Sequence, residues 1–262
     1  MSAGGKMTES EIILKLKDIN KSFQNYKVFQ GLNLEIKRGE ISCLLGPSGS
    51  GKTTLFRIAA GLEKADGGEV IKNNSPRFAY VFQTPRLLPW KTAEENLIFV
   101  QKNYNLKYRD ELRKLLFELA GLKDFKNSYP HELSGGMQQR LEFIRAFAIK
   151  PDLVFLDEPF KSLDMKTKVN LRKLLSVIQK ETGKTIFLIT HDPEEALLLA
   201  DSINILDTGG GNIVEKFKIE KSREKRKISD PDLYQKFEKI MDVFNVLVSD
   251  FDYSAEKMKK LF

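Results

Sequence analysis

Residues 12–19 alternate apolar and polar side chains, the period of a strand with one buried face, and residues 28–36 do so again. Gly39-Glu40 turns the chain into residues 41–45, a continuous apolar run of the kind found in strands buried on both faces. Residues 52–62 lengthen the apolar spacing to that of a helix. Residues 78–82 read as a strand, Thr92 is placed to cap a helix through about Gln101, and residues 108–120 read as a helix that Gly121 ends. Residues 153–156 and 186–189 are fully apolar strands, with apolar side chains at helical spacing over 165–180 between them.

Strands alternating with helices predict an α/β fold with a parallel sheet covered on both faces. The two early alternating strands predict an added antiparallel β layer. Residues 93–150 contain no strong strand and predict an inserted helical subdomain. After Gly209-Gly210-Gly211, residues 213–217 predict an edge strand, and residues 221–227 read as a basic, polar linker. Asp230-Pro231 then supplies an N-cap and a proline at the first helical position. Leu233, Phe237, Ile240, Phe244, Leu247 and Phe251 follow on one helix face. Such a stripe either docks on its own domain or forms a dimer or regulatory interface. The expected organisation is a flexible leader over 1–10, a main domain over 11–220 and a tail over 221–262.

Composition narrows the class. With 41% hydrophobic and 30% charged residues in 262, the chain is globular and can bury a sizeable core. The excess of 43 basic over 36 acidic residues reads either as a Lys-rich solvated surface or as attraction to nucleic acid or an anionic bilayer. The single cysteine, Cys43, sits in an apolar run with no thiolate-stabilising partner nearby, which points to a core residue and a reducing compartment. His131 and His191 lie far apart and suggest no metal site. No stretch approaches the ~20 apolar residues that span a bilayer. Residues 1–7 lack a hydrophobic signal segment, with Met7 a second candidate start, so a protein inside the cell is expected.

Gly46-Pro47-Ser48-Gly49-Ser50-Gly51-Lys52-Thr53 matches the P-loop pattern between an apolar strand and a helix. The glycines let backbone amides curl around phosphate oxygens, and the helix start adds its positive dipole end. Lys52 can reach the β- and γ-phosphates and the Thr53 hydroxyl can ligate Mg²⁺. Gly46, Ser48, Gly49, Ser50, Gly51, Lys52, Thr53 and Thr54 are therefore candidate nucleotide contacts. Asp157-Glu158 follow the strand at 153–156, where ligands collect in open α/β sheets. Acidic residues often merely end strands; beside a P-loop, Asp157 suits Mg²⁺, directly or through water, and Glu158 suits activation of the attacking water. In Leu133-Ser134-Gly135-Gly136-Met137-Gln138-Gln139-Arg140, Ser134 can cap a helix whose glycines leave amides open. This is either an ordinary capped helix start or a second phosphate surface. If both surfaces bind one nucleotide, they come from different molecules or fold together in one.

With these motifs in this order, residues 12–220 resemble the nucleotide-binding subunit of ABC transporters. The resemblance implies that residues 133–140 are the family signature, with Ser134, Gly135 and Gly136 on the nucleotide. It implies that Ser162-Leu163-Asp164 is the D-loop that touches the partner subunit, with Asp164 in the nucleotide set. Gln83 matches the glutamine that senses Mg²⁺ and contacts membrane subunits, and His191 matches the switch histidine on the γ-phosphate. Phe23 sits where the family places an aromatic on adenine, with Tyr26 as the second candidate. The implied catalytic set is Glu158, His191 and Gln83; the implied metal set is Thr53, Gln83 and Asp157; the cofactors are ATP and Mg²⁺.

Thr84-Pro85-Arg86-Leu87-Leu88-Pro89-Trp90-Lys91-Thr92 is similar to the subgroup serving nitrate, sulfonate, taurine and pyrimidine or thiamine-precursor importers, and so is the tail. This implies a motor for an importer of a small anionic or thiamine-precursor-like solute. It would dimerise head to tail on ATP, peripheral to the cytoplasmic side of the membrane, with two transmembrane permease subunits and, through them, a solute-binding protein. Two departures stand out: Lys161 occupies a position where a small residue is common, and residues 251–262 add an unassigned apolar-basic segment. ABC ATPases acting on DNA or the ribosome usually carry a long coiled-coil insertion or two nucleotide domains, and neither is present, so no nucleic-acid partner is expected. A P-loop kinase would require an acceptor site, and residues 133–140 and His191 argue against it.

Overall fold

The computed structural model describes residues 11–24, 26–106, 108–161, 163–208 and 210–248. The leader at 1–10, Ser162 of the D-loop segment, Gly209 and the segment from 251 to 262, including Phe251 of the stripe, lie outside the described residues.

Nine strands form two sheets among those residues. The larger has the order β5-β6-β7-β3-β8-β9, built from β5 (Phe78–Val81), β6 (Leu153–Asp157), β7 (Thr185–Thr190), β3 (Ile41–Leu45), β8 (Ser202–Leu206) and β9 (Ile213–Lys218). All pairings are parallel except β8 with β9, so the expected edge strand closes the sheet antiparallel. Strands β3, β6 and β7 are buried at every position, as their unbroken apolar runs require.

Successive side chains of these strands feed two different cores. Cys43, Val154, Leu156, Ile186 and Leu188 enter one; Leu44, Leu153, Phe155, Phe187 and Ile189 enter the other. The first core is covered by α2 (Ala93–Gln101), α3 (Arg109–Leu119), α4 (Gly135–Phe147), α5 (Met165–Thr182), α6 (Pro193–Leu199) and α7 (Pro231–Val248). The second is closed by α1 (Lys52–Ala60) and by the antiparallel sheet β2-β1-β4, from β1 (Ile12–Phe23), β2 (Tyr26–Lys37) and β4 (Gly67–Lys72). Burial raises the Cys43 thiol pKa, as befits a core residue.

Three elements escape the periodicity reading: β4, β8 and α6. In β4 no residue is fully buried, and Gly68 takes φ +88 where a Cβ would stand 2.3 Å from the Asp18 carbonyl oxygen, so only glycine fits. The capping box at Thr92 forms as expected: its side chain accepts from Glu95 N, and Glu95 accepts from Thr92 N.

The C-terminal stripe docks on its own chain. Leu233 and Ile240 are buried, and Phe237, Phe244 and Leu247 pack against the core that holds α6. The basic segment before it is anchored. Buried Arg226 donates from Nη1 to the Leu197 and Ala200 carbonyls at 3.2 and 2.7 Å and from Nε to Lys221 O at 2.7 Å. Asp201 accepts from Arg226 at 3.3 Å, Arg223 at 2.8 Å and Ile41 N at 2.9 Å, tying the segment to α6 and β3.

Candidate nucleotide site

Four neighbouring parallel strands, in the order β5-β6-β7-β3, end at one edge of the large sheet. Each carries a candidate residue or motif just past its carboxyl end: Gln83 after β5, Asp157 and Glu158 at β6, His191 after β7, and the Gly46–Thr53 loop after β3. Strand pairing sets their proximity, since Asp157 is opposite Ile189 and Leu45 is opposite Thr190. A cleft of about 420 Å³ collects Phe23, Ser48, Gly49, Gly51, Lys52, Thr53, Thr54, Gln83 and Glu158, together with Tyr26 and Lys161.

The loop into α1 is built for close approach. Gly51 is the N-cap of α1 at φ +90, and a Cβ there would lie 2.7 Å from a Val28 methyl carbon. Lys52 is buried, and its ammonium donates to the Gly46 and Pro47 carbonyls at 2.8 and 2.7 Å and approaches Ser50 Oγ at 3.4 Å. Burial lowers its pKa, opposed by the Glu158 and Asp157 charges. Phe23 stands half exposed at the cleft rim, with the Lys21 ammonium 5.0 Å from its ring centroid. Tyr26 donates from its hydroxyl to the Thr208 carbonyl at 3.3 Å.

Asp157 is buried and accepts from the Tyr80 hydroxyl at 3.0 Å. Burial, with the neighbouring Glu158 charge, holds its carboxyl above the usual range despite that hydrogen bond. Glu158 takes φ +44, a left-handed conformation uncommon for a residue with a Cβ and typical of functional sites. Its carbonyl accepts from Lys161 N at 3.1 Å, a turn that folds Lys161 back over the carboxylate. The Lys161 ammonium lies 2.7 Å from Oε2 and His191 Nδ1 lies 3.4 Å from Oε1. Burial pushes the Glu158 pKa up, but Lys161 and His191 outweigh it and hold the group below the usual carboxylate range. Oε2 is buried, and the Lys161 ammonium beside it is its compensating partner. His191 also lines a cavity of about 100 Å³ with Thr190, Glu195 and Lys168. There Glu195 accepts from the Thr190 hydroxyl at 2.7 Å and from Lys168 at 3.2 Å, bracing the turn that carries His191.

The family model described as ABC transporter matches residues 29–161, which include the loop, Gln83 and the paired carboxylates. The chain belongs to the ABC transporter family. It is 41% identical over 209 residues to the aliphatic sulfonates import ATP-binding protein SsuB 3 of Rhodococcus jostii, covering 80% of this chain and 76% of that one. It is 40% identical over 212 residues to the sulfate/thiosulfate import ATP-binding protein CysA of Xylella fastidiosa, covering 75% of this chain and 61% of that longer protein. Among solved structures, the dimeric post-hydrolysis ATP-binding cassette MJ0796 bound to ADP and Pi matches with a TM-score of 0.68 and 32% identity. That match covers 79% of this chain and 99% of the other.

Within this ABC cassette, the remaining predicted contacts lie elsewhere. Ser134, Gly135, Gly136 and Asp164 do not line the P-loop cleft. Ser134 caps α4 by accepting from Met137 N at 3.3 Å, and both Ser134 and Gly135 are exposed. Gly136 packs on α5, where a Cβ would meet a Thr167 methyl carbon at 2.9 Å. Asp164 caps α5: one carboxylate oxygen accepts from Thr167 N at 3.0 Å and the other from the Thr167 hydroxyl at 2.6 Å.

The loop after Gln83 is held from below. Buried Asn96 accepts from Leu88 N at 2.9 Å and donates to the Leu88, Lys91 and Thr92 carbonyls at 3.2, 3.2 and 3.0 Å. Buried Glu142 accepts from Arg86 N at 2.6 Å. Trp90 stands 70% exposed on this scaffold. Among the described residues, no helix is long and apolar enough to cross a membrane.

Sequence reasoning missed Tyr80, Asn96 and Glu142, and gave Lys161 no role. Tyr80 has a retrievable signal, three residues before Gln83 on an apolar strand; the others depend on packing that no local motif encodes.

Proposed function

We propose that this protein is the ATP-hydrolysing motor of an ABC importer, working as an ATP-bridged dimer on the cytoplasmic face of two membrane permease subunits. The observation that carries the reading is the convergence of P-loop, Gln83, Glu158 and His191 at four adjacent strand ends. Residues 11–220 form the catalytic unit and 221–262 its appended tail. The names of the relatives and the stiff loop bearing Trp90 support import of a small anionic solute delivered by a solute-binding protein.

In the proposed chemistry, ATP lays its phosphates along the Gly46–Thr54 loop, with Phe23 against the base. Lys52 exchanges the Gly46 and Pro47 carbonyls for phosphate oxygens. Glu158 accepts a proton from water as the water oxygen bonds to the γ-phosphorus. The bond to the bridging oxygen breaks and its electron pair leaves with ADP. His191 braces the γ-phosphate. Thr53, Gln83 and Asp157 offer hard oxygen donors that suit Mg²⁺, which when bound neutralises phosphate charge.

The test is Mg-ATP titration and phosphate release on the purified chain. Lys52→Ala removes a charge-assisted contact and should weaken ATP binding about tenfold or more. Undiminished binding by that variant would remove the cleft as the nucleotide site.

A further inference from the structure

The fold builds Lys161 into the cleft beside Glu158. Its backbone closes the turn on Glu158, its ammonium is 2.7 Å from Glu158 Oε2, and it lines both the P-loop cleft and the small cavity at His191. Lys52 and Lys161 thus bring two ammonium groups to one cleft, close enough for Lys161 to depress the Lys52 pKa. Like charges held together in a partly buried site are unfavourable unless an anion stands between them. Glu158 stands between them as one such anion, with its Oε2 2.7 Å from the Lys161 ammonium. A terminal phosphate offers an ammonium several charged oxygens where this carboxylate offers one, and so competes for Lys161.

We propose that Lys161 is a γ-phosphate-binding residue that distinguishes ATP from ADP: it leaves Glu158 for the terminal phosphate, and the freed carboxylate then takes the attacking water. The inference rests on the cleft being the ATP site. One ammonium would thereby link arrival of the right nucleotide to release of the general base.

The test is equilibrium titration of the full chain with Mg²⁺ and either ATP or ADP, in a Glu158→Gln background. That background stops hydrolysis and removes the Glu158 charge, so any effect of Lys161 on ATP cannot act through that charge. Lys161→Ala should weaken ATP about tenfold and leave ADP within about twofold, and Lys161→Arg should restore most of the ATP affinity. Unchanged ATP affinity in Lys161→Ala would overturn the proposal and leave Lys161 a partner of Glu158 only. Equal loss for ATP and ADP would overturn it in favour of general charge or structure. A Lys52→Ala control that bound both nucleotides normally would overturn the ATP reading of the cleft itself, a distinct result.

Discussion

At Glu158 the backbone enters the left-handed region directly after a buried strand, and that turn decides which neighbours the carboxylate meets. Burial alone would raise its pKa, but Lys161 and His191 hold the group below the usual carboxylate range. Glu158→Gln keeps size and hydrogen bonding while losing the basic oxygen. Phosphate release should fall by about 10² to 10⁴, as for loss of a general base, with ATP binding retained. An active Glu158→Gln protein would reassign the base. Many side chains of this centre were legible in the sequence because the Gly46–Thr54 loop is contiguous at one strand-to-helix turn. The position of Tyr80 had a signal but its bond to Asp157 did not, since that depends on β5 lying beside β6, and the turn that brings Lys161 to Glu158 depends on a single positive φ. The cap role of Ser134 was also half legible: a helix start is local, but what else it faces is not.

Among the elements, the loop after Gln83 and the segment before α7 show opposite uses of buried polar side chains. Asn96 and Glu142 fix the loop from beneath, leaving Trp90 free at the surface. Trp90→Ala should therefore leave basal hydrolysis of the isolated chain unchanged and reduce transport by the assembled importer; lost fold or basal activity would make Trp90 a structural residue instead. Arg226 closes the C-terminal end of α6, the helix that follows His191, by satisfying its last carbonyls. Arg226→Ala leaves those acceptors buried and unpaired, while Asp201 keeps Arg223. A loss of about 2–3 kcal/mol is expected, below the usual cost of breaking a fully buried ion pair. For a chain of this size that lowers Tm by roughly 4–12 °C. A melting curve identical to the parent's would show the contacts to be idle. Uniform apolar runs made β3, β6 and β7 readable in advance. Asn204 interrupts β8, exposure and glycines blur β4, and α6 is too short for a period to show.

For the whole molecule, the question is what faces Ser134 and Gly135. They are exposed at the start of α4 and are not among the residues that line the cleft with Lys52. A second copy related by a two-fold axis can supply each cleft with the α4 start of its partner, and a two-fold arrangement makes both sites complete at once. The matched cassette of the solved structure is itself dimeric. A ligand that binds only the completed interface stabilises the dimer by mass action, so ATP should drive association and hydrolysis should reverse it. Glu158→Gln blocks the reversal and should accumulate as a dimer under saturating Mg-ATP. Adding Ser134→Arg places a bulky side chain at the α4 start, with the cap bond to Met137 N also lost. Losing a cap costs only about 1 kcal/mol, too little to unfold the chain, so the double variant should be a folded monomer. Light scattering separates the outcomes: dimeric Glu158→Gln with a monomeric double variant supports the bridged site. A Glu158→Gln chain that stays monomeric with ATP bound would mean that the membrane subunits supply the association energy, and that α4 meets the nucleotide only within the assembled importer.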